Sequence, residues 1–536
     1  MNIQHAVSLA AHRTGVRRWA RWQVPVAVAV VLAASLTPLA SSSRASALSS
    51  RQAEGLVCAT GSTADFQHPP TAPLPTNPSF VLTAQDGYIT TPDGNSIYMW
   101  GFSNGSGAYQ DPGPVLCVNE GDAVTITLRN TLPVATSIQF PGMTGVLANG
   151  APSQPQPGSL SLATPAGADT GSKPNSSDPT KETKVTYSFV ADHPGTFLYE
   201  SGTNPQFQVQ MGLAGAIVVR PRLGNPCFAA APAPAPGTVC APSQHVYDDA
   251  GATPAMATDP TSCAIPAGGL ACFSTFNPTK EYLHLLSELD PMLHSAAESG
   301  TYEYDMTAYK ARYFFINGRS FPDTVSPNFA AHVPSQPYGA LAHIQPRNTQ
   351  RYLTGTTTPN PDYNPDPALV RYLNAGPVDY PFHPHSNNER QIGFDAHPLV
   401  NATSAANPTD ASVDRYSVVV PPGGTIETQF AWVDQQNWDP AKHPINSGGA
   451  DDVAVPDQQA RTEGQYWSGT PYLGGHVDLS TGKTQYNECG EMYQVAHSHA
   501  LFQATNYGAS MGGMLTMIRI DPPNSFAEHA NCTTGN

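Results

Sequence analysis

Apolar and polar residues alternate over short runs along this chain, and residues that favour turns separate the runs. The segment Lys184–Val190 alternates polar and apolar residues, as expected of a strand with one buried face. Similar runs rich in β-branched and aromatic residues recur at Ser79–Thr83, Val124–Leu128, Ala216–Val219, Tyr416–Val420, Thr425–Trp432 and Met514–Ile520. No long amphipathic helix pattern interrupts them. The pattern therefore predicts an all-β protein of the sandwich or barrel type.

Composition agrees with this reading and divides the chain. The 536 residues include 53 Pro and 45 Gly, and only 12% are charged, which disfavours a helical protein. A Pro- and Cys-rich stretch that contains Ala229–Pro236 separates two β-rich regions and has the stiffness of a linker. The expected parts are an export signal at 1–47, an N-terminal domain at 60–222, a linker at 223–280, a C-terminal domain at 281–523 and a tail at 524–536. The C-terminal domain is expected to contain an insertion at about 435–475.

The N-terminus has the features of an export signal. Arginines precede the apolar run Val24–Leu36, and small residues lead to Ala45–Ala47, an A-x-A cleavage pattern. The run is too short for a membrane span, so the mature protein is expected to have no stable span and to lie outside the cell or in the cell envelope. Without residues 1–47, the 25 basic residues fall to 20 against 41 acidic ones, a net charge of −21. This charge excludes nucleic acid as a partner and favours cations such as metal ions.

The cysteines fit an exported protein. There are eight and no C-x-x-C spacing, so disulfides are expected rather than a zinc ribbon or a thioredoxin site. Cys227/Cys240 and Cys263/Cys272 are close enough to form small loops, and Cys489 and Cys532 could restrain the C-terminus. The sequence leaves the connectivity open.

One spacing occurs twice with different chemistry in it. Asn130 precedes Gln139 by nine residues, and Asn374 precedes His383 by nine residues. A second pair of segments is similar in the same way: Gly195–Gly202 with Met211–Val219, and Tyr493–His499 with Met511–Ile518. We therefore expect two copies of one domain, with His-x-His at both places in the second copy and at neither in the first.

Two His-x-His pairs on neighbouring strands predict a metal site. Alternate residues of a strand point to the same face, so each pair directs two imidazoles one way. His383 and His385 form the first pair, and His497 and His499 form the second. Imidazole is a good ligand for copper, zinc, iron or nickel. The alternative is that these histidines are only hydrogen-bonded in a domain interface.

Several of these segments together resemble the multicopper oxidases, which are built from cupredoxin β-sandwiches. The resemblance implies an all-β fold of two cupredoxin-like Greek-key sandwich domains with long loops and a Pro/Cys-rich connecting segment. The matching stretches are Glu120–Asn130, Pro194–Tyr199, Gln208–Ala216, Phe315–Pro322, Pro381–His385, and His497–His499 with Gly512–Met514.

The resemblance also implies where family ligands are kept and lost. In that family, eight histidines in four His-x-His motifs hold a trinuclear copper cluster between the first and last domains. The first two motifs fall on Gln139 with Pro141 and on Glu200 with Gly202, so their histidines are lost. The last two motifs are intact at His383, His385, His497 and His499.

The blue-copper site of the family is lost as well. Ser498 stands where the family has the copper-binding cysteine, and Tyr380 and Gln503 stand where it has histidines. Met511 or Met514 could supply the axial sulfur. A hydroxyl cannot replace a thiolate as a soft ligand. A full four-copper set and oxygen reduction through it are therefore not expected.

Three functions remain open from the sequence. The first is a protein that binds one transition metal, most simply copper, between the two domains through the four histidines with Glu200 facing them, and any activity would be an oxidoreductase of multicopper-oxidase type. Glu200 could instead only pair with a protonated histidine. The second is a copper-free cupredoxin-fold scaffold with a protein partner in the envelope, and the third is a residual oxidase of phenols or metal ions.

Overall fold

The computed structural model describes residues 55–59, 61, 66–67, 76–153, 184–220, 280–348, 352–364, 367–385, 388–401, 409–432, 492–508 and 512–521. The predicted export signal, nearly all of the linker, the insertion, the tail, Met511 and six of the eight cysteines lie outside these residues. Among the described residues, no helix is long and apolar enough to cross a membrane.

Twelve strands in the described N-terminal part form two sheets. They are β1 Cys58–Ala59, β2 Phe66–Gln67, β3 Ser79–Thr90, β4 Ser96–Asn104, β5 Leu116–Asn119, β6 Ala123–Asn130, β7 Ile138–Gln139, β8 Leu147–Ala148, β9 Ala151–Pro152, β10 Val185–Val190, β11 Gly195–Ser201 and β12 Ala214–Arg220. Sheet 1 has the order β4-β3-β6-β10-β8-β9, and sheet 2 has the order β2-β1-β5-β12-β11-β7. A single helical turn, α1 Pro205–Gln208, connects β11 to β12.

Fourteen strands follow in the described C-terminal part. They are β13 Glu281–Leu289, β14 Tyr313–Ile316, β15 Ala342–Ile344, β16 Ala368–Asn374, β17 Tyr380–Pro384, β18 Glu389–Phe394, β19 His397–Pro398, β20 Val400–Asn401, β21 Thr409–Asp410, β22 Val413–Arg415, β23 Val418–Val420, β24 Thr425–Phe430, β25 Met492–Ser498 and β26 Leu515–Ile520. Sheet 3 has the order β14-β13-β16-β24-β18-β19 with β22 beside β18, sheet 4 has the order β15-β26-β25-β17-β23, and β20 pairs with β21. The helices are α2 Pro291–Glu298 and α3 Leu501–Ala504, with 3₁₀ turns at Met306–Ala308 and Asp323–Val325.

The strand order repeats between the two halves. β4-β3-β6-β10 of sheet 1 and β14-β13-β16-β24 of sheet 3 share the same order and directions, including the parallel pairs β3/β6 and β13/β16. β5-β12-β11-β7 of sheet 2 matches β15-β26-β25-β17 of sheet 4 in the same way. The predicted all-β fold of two cupredoxin-like sandwiches is confirmed by this topology.

The four sheets stack in the order 1, 2, 3, 4. Apolar side chains such as Phe102 and Phe197 fill the space between sheets 1 and 2, and Tyr372 and Phe382 are among those between sheets 3 and 4. A third cluster joins sheet 2 to sheet 3 through Leu198, Ala216, Val218, Leu283 and Leu373. Because the inter-sandwich cluster is as fully buried as the two sandwich cores, the halves share a continuous apolar contact.

A buried charge network also crosses the contact between sheets 2 and 3. Arg371 donates to Glu281 at 2.7 Å and to Glu427 at 3.0 Å, and Arg220 of sheet 2 binds the other oxygen of Glu281. Thr196 of β11 donates to Glu427 at 2.8 Å. Two arginines balance two glutamates, so the network is neutral, as buried charges require.

A disulfide ties the N-terminal edge of the described chain to sheet 2. It joins Cys58 of β1 to Cys117 of β5, which are 59 residues apart. Both cysteines are fully buried in the contact between sheets 2 and 3. The expectation that the chain carries disulfides is met by this bond.

Candidate metal centre

The four histidines lie side by side on one face of sheet 4. β17 and β25 are antiparallel neighbours, and His383 is directly opposite His497. Phe382 and Ala496 belong to the core between sheets 3 and 4. Because strand side chains alternate, the histidines point away from that core. His385 and His499 follow at the ends of the two strands.

The rest of this face is covered, and the histidines lie at its open end. Tyr493 and Val495, which alternate with the core residues of β25, pack against an apolar cluster that includes Phe321, Val325 and Leu341. His499 and His385 are exposed, His497 is partly buried, and His383 is 7% exposed. Three of the four imidazoles are therefore reachable from solvent, and His383 is largely covered.

The imidazoles are close enough to share an ion. Ring centroids are 4.9 Å apart for His383 and His385, 5.2 Å for His385 and His497, 5.4 Å for His383 and His499, and 5.9 Å for His497 and His499. The Nε2 atoms of His385 and His497 are 3.1 Å apart. Two nitrogens bound to one ion at ~2.1 Å lie ~2.9–3.4 Å from each other, so this pair has the spacing of two ligands.

The full set is not gathered around one point. Among the described residues, no group of three or more His, Cys, Asp or Glu side chains already has the arrangement of a metal site. Binding of one ion by all four imidazoles would therefore need rotation of side chains, which the exposure of His385 and His499 permits.

Backbone carbonyls fix the proton position on two of the rings. Nδ1 of His383 is 2.6 Å from the carbonyl oxygen of Tyr416, and Nδ1 of His497 is 2.7 Å from that of Ser498. A carbonyl oxygen only accepts, so Nδ1 is the protonated nitrogen in both rings and Nε2 keeps its lone pair. Such carbonyl contacts to the second nitrogen are usual for metal-binding histidines. Without an ion, His385 then donates from Nε2 to His497, and an ion bound by both nitrogens would displace that proton.

The electrostatics keep two of the imidazoles neutral. Burial, together with the neighbouring His497, His383 and His499, lowers the pKa of His385 to about 4. Burial also lowers the pKa of His497, while its hydrogen bond to the Ser498 carbonyl opposes the shift. Metal ions bind the neutral imidazole, so both side chains are in the binding form at neutral pH.

Tyr416 is part of the site and carries no sequence signal. Its ring stacks on His383 with centroids 4.0 Å apart and planes at 25°, and it lies 5.9 Å from the His499 ring. The side chain is 61% exposed. In the sequence it only begins a β-rich run, and no motif or spacing connects it to a histidine 33 residues earlier.

An open cleft of about 610 Å³ adjoins the histidines, within the size range of small-molecule sites. Its polar side chains other than the histidines are Asn388, Asp414 and Tyr416. The complete lining is His383, Pro384, His385, Asn388, Asp414, Tyr416 and Ala431. The candidate centre therefore has direct access to a cleft that is mostly polar.

Glu200 lies elsewhere in the fold. It is on β11 of sheet 2, opposite Gln139 of β7, whose side-chain amide donates to it at 2.7 Å. Burial raises the pKa of Glu200, and the bond from Gln139 opposes the shift. Glu200 alternates with Tyr199 and shares the face of Leu198, which packs towards sheet 3. The structure thus brings the four histidines together on the outer face of sheet 4. Sheet 3 lies between them and the N-terminal sandwich. Glu200 is therefore not beside the histidines and bonds to Gln139 instead.

The positions at which the sequence predicts a lost blue-copper site carry hydrogen-bonded side chains. Ser498 is fully buried and its hydroxyl donates to the side-chain oxygen of Gln503. Tyr380 is also fully buried, and its hydroxyl donates to Glu288 at 3.0 Å. Met514 is buried in the core, and its carbonyl oxygen accepts from the Ser498 amide.

The same arrangement occurs in the N-terminal sandwich. Ser201, which occupies the strand position of Ser498, donates to Gln208 at 2.6 Å. The carbonyl of Gln208 accepts from Leu213 N, as that of Gln503 accepts from Met514 N. Gly202 and Pro141 offer no side-chain donor atom, and the Gly202 amide donates to Ser137. A serine–glutamine hydrogen bond is therefore a repeated structural feature of both halves.

Comparisons with known proteins give similarity in fold. No family model and no curated protein sequence matches the chain. The multicopper oxidase mgLAC has a TM-score of 0.45 at 16% identity over 83% of this chain and 86% of its own. A blue copper oxidase from Nitrosomonas europaea has a TM-score of 0.45 at 16% identity over 82% and 85%, and a copper nitrite reductase from that organism has 0.39 at 15% over 84% and 95%. Over most of its length, the chain is similar in fold to solved multicopper oxidases and copper nitrite reductases.

Proposed function

We propose that this chain is an exported protein that binds one transition-metal ion, copper above all, at the outer face of sheet 4. The ligands are His383, His385, His497 and His499. The observation that carries the proposal is the pair of Nε2 atoms 3.1 Å apart within a group of four neighbouring imidazoles. Three features support export: an N-terminal apolar segment that follows several arginines, a buried disulfide, and the acidic charge of the chain without residues 1–47.

Copper is the preferred ion for two reasons. Nitrogen ligands bind Cu²⁺ more tightly than the other divalent ions of the first transition row. The acidic chain also raises the local concentration of cations. A bound copper ion would supply Lewis acidity and one-electron chemistry. Blue-copper oxidase activity is not part of the proposal, because Ser498, Gln503 and Tyr380 offer neither the thiolate nor the imidazoles that such a site needs.

Elemental analysis and EPR of the purified mature chain test the proposal. We expect one copper per chain in the wild type and loss of that copper in His497→Ala/His499→Ala. His332→Ala removes a histidine whose side chain is 56% exposed in another part of the fold, and it should keep the wild-type content. Equal copper in the wild type and the double variant would overturn the proposal.

The second candidate is a copper-free envelope scaffold that works through a protein partner. It is favoured by the observation that, in the described part of the chain, no three donor side chains are already gathered around one point. This function predicts no change in melting temperature when copper is added. A metal specific to the folded state would stabilise it by about 2.7 kcal/mol at a concentration 100 times Kd, so a clear copper-dependent rise would exclude the scaffold.

A further inference from the structure

Tyr416 contacts one imidazole in two ways. It lies between β22 and β23, beside β17, and its ring stacks on the face of His383 at 4.0 Å. Its backbone carbonyl accepts from Nδ1 of the same imidazole at 2.6 Å. One residue thus contacts His383 through both the ring face and the ring edge.

The two contacts restrict different freedoms of the imidazole. The carbonyl selects the tautomer with the proton on Nδ1. The stacked ring restricts rotation about the last side-chain bond of His383, which is broad and nearly two-fold in histidine when nothing holds it. A half-turn would exchange the edge that carries Nδ1 with a carbon edge and redirect Nε2. Together the contacts hold Nε2, the nitrogen that keeps its lone pair, in one orientation, and the ring centroids of His497 and His499 lie 5.9 and 5.4 Å from that of His383.

The backbone at Tyr416 does not depend on its ring. β17 and β23 pair from Tyr380–Val420 to Phe382–Val418, and the Ser417 hydroxyl donates to the Phe382 carbonyl at 3.2 Å. The Tyr416 ring is 61% exposed and belongs to none of the described apolar clusters. Removal of the ring should therefore leave the strand in place and affect chiefly the imidazole.

We infer that Tyr416 is a positioning residue of the metal centre: its ring holds the His383 imidazole so that Nε2 is presented to an ion shared with the other three histidines. This rests on the proposed metal-binding function. A stacked aromatic pair of this kind corresponds to roughly a 2- to 12-fold effect on affinity. Tyr416→Phe keeps the stacked face, and Tyr416→Ala removes it.

The first test uses the metal-free protein and ¹⁵N NMR of its histidine side chains, with assignment through His383→Gln. The wild type and Tyr416→Phe should show His383 as one tautomer with the proton on Nδ1. Tyr416→Ala keeps the carbonyl but lets the imidazole rotate away from it, so this variant should show a mixture of tautomers at the same melting temperature. A wild-type His383 signal in Tyr416→Ala would overturn the inference, whether or not the protein binds metal.

The second test is a Cu²⁺ titration followed by EPR. Affinity should fall by roughly 2- to 12-fold in Tyr416→Ala, with altered copper hyperfine splitting, and Tyr416→Phe should restore both. Val419→Ala removes a 51% exposed side chain on the neighbouring strand and should change neither. If the wild type binds no copper, the proposed function fails and the NMR result alone decides the role of Tyr416. Equal affinity and spectra in Tyr416→Ala and the wild type would overturn that role.

Discussion

The side-chain amide of Gln139 donates a 2.7 Å hydrogen bond to the carboxylate of Glu200, across neighbouring strands of sheet 2. In the second sandwich, His383 and His497 occupy the corresponding positions on β17 and β25. Amide and carboxylate satisfy each other without an ion, whereas the imidazoles of His383 and His497 both carry the proton on Nδ1 and cannot satisfy each other through Nε2, so His497 accepts from His385 instead. The duplicated fold therefore has one self-sufficient polar pair and one pair that has capacity left for a ligand.

Glu200→Ala tests whether the first pair has any part in metal binding. We expect copper content to stay at the wild-type level, because Glu200 and its partner Gln139 lie on sheet 2, whereas the four histidines lie on sheet 4. The free energy of unfolding should fall by about 1 kcal/mol, since the amide of Gln139 loses its acceptor in a partly buried place. Elemental analysis and urea unfolding measure the two effects. Loss of copper would instead make Glu200 a ligand.

The sequence predicted the strands well because alternation is a local signal. Lys184–Val190 became β10 Val185–Val190, and Thr425–Trp432 became β24 Thr425–Phe430. The nine-residue spacing aligned Gln139 with His383, and the strand registers agree. Repeat and fold class could be found this way because each depends on residues close together in the chain.

Features that depend on contacts between distant residues or on loop length could not be predicted from the sequence. The contact between Tyr416 and His383 was one, and the ion pair of Arg371 with Glu281, 90 residues apart, was another. The sequence also aligned Met211 with Met511. In the structure, Leu213 and Met514 are the residues that make equivalent backbone hydrogen bonds. The connection between the matched strands is longer in the second copy. The sequence similarity in this segment therefore gave an alignment that is shifted by one residue from the structural one.

Arg371→Met should be strongly destabilising. The substitution leaves Glu427 with only Thr196 and Glu281 with only Arg220 in a fully buried contact. Breaking one side of a buried ion-pair network costs about 3–5 kcal/mol, measured as the free energy of unfolding in urea.

Arg415→Met is the matched control for Arg371→Met. Arg415 is exposed, and its guanidinium donates to Gln391 at 3.4 Å. We expect a change within about 0.5 kcal/mol. Similar losses in the two variants would mean that burial of the network does not determine its contribution.

Ser498→Cys should not create a blue-copper site. A thiolate would occupy the strand position at which the family resemblance predicts one, but the same resemblance puts Gln503 and Tyr380 where the two imidazoles are needed. The hydroxyl of Tyr380 is also committed to Glu288. Visible absorption of the copper-loaded variant should show no intense blue band.

Ser498→Ala supplies the control for that experiment. It leaves the side-chain oxygen of Gln503 without its donor in a buried position, at a cost of about 1–3 kcal/mol. An intense blue band in Ser498→Cys that is absent from Ser498→Ala would contradict our interpretation and show that other side chains can complete the site.

Glu389 should make the stability of the protein depend on pH. It is 1% exposed, and its carboxylate accepts from Tyr372 at 2.6 Å. Burial raises its pKa to about 7, against the opposing bonds from Tyr372 and Thr428. Since the folded pKa exceeds the unfolded value of about 4.3, its contribution is complete below about pH 4.3 and is lost as the pH rises through 7. Between about pH 5 and pH 8 the loss should be roughly 2–3 kcal/mol.

Glu389→Gln removes this titration while keeping the shape and the acceptor for Tyr372. Urea unfolding at both pH values should therefore show a flatter profile in Glu389→Gln than in the wild type, by that same amount. Glu303→Gln replaces an exposed carboxylate and should leave the wild-type slope unchanged. Parallel profiles for the wild type and Glu389→Gln would show that Glu389 has the same affinity for its proton in the folded and unfolded chains, and the buried carboxyl would then have no role in the pH dependence.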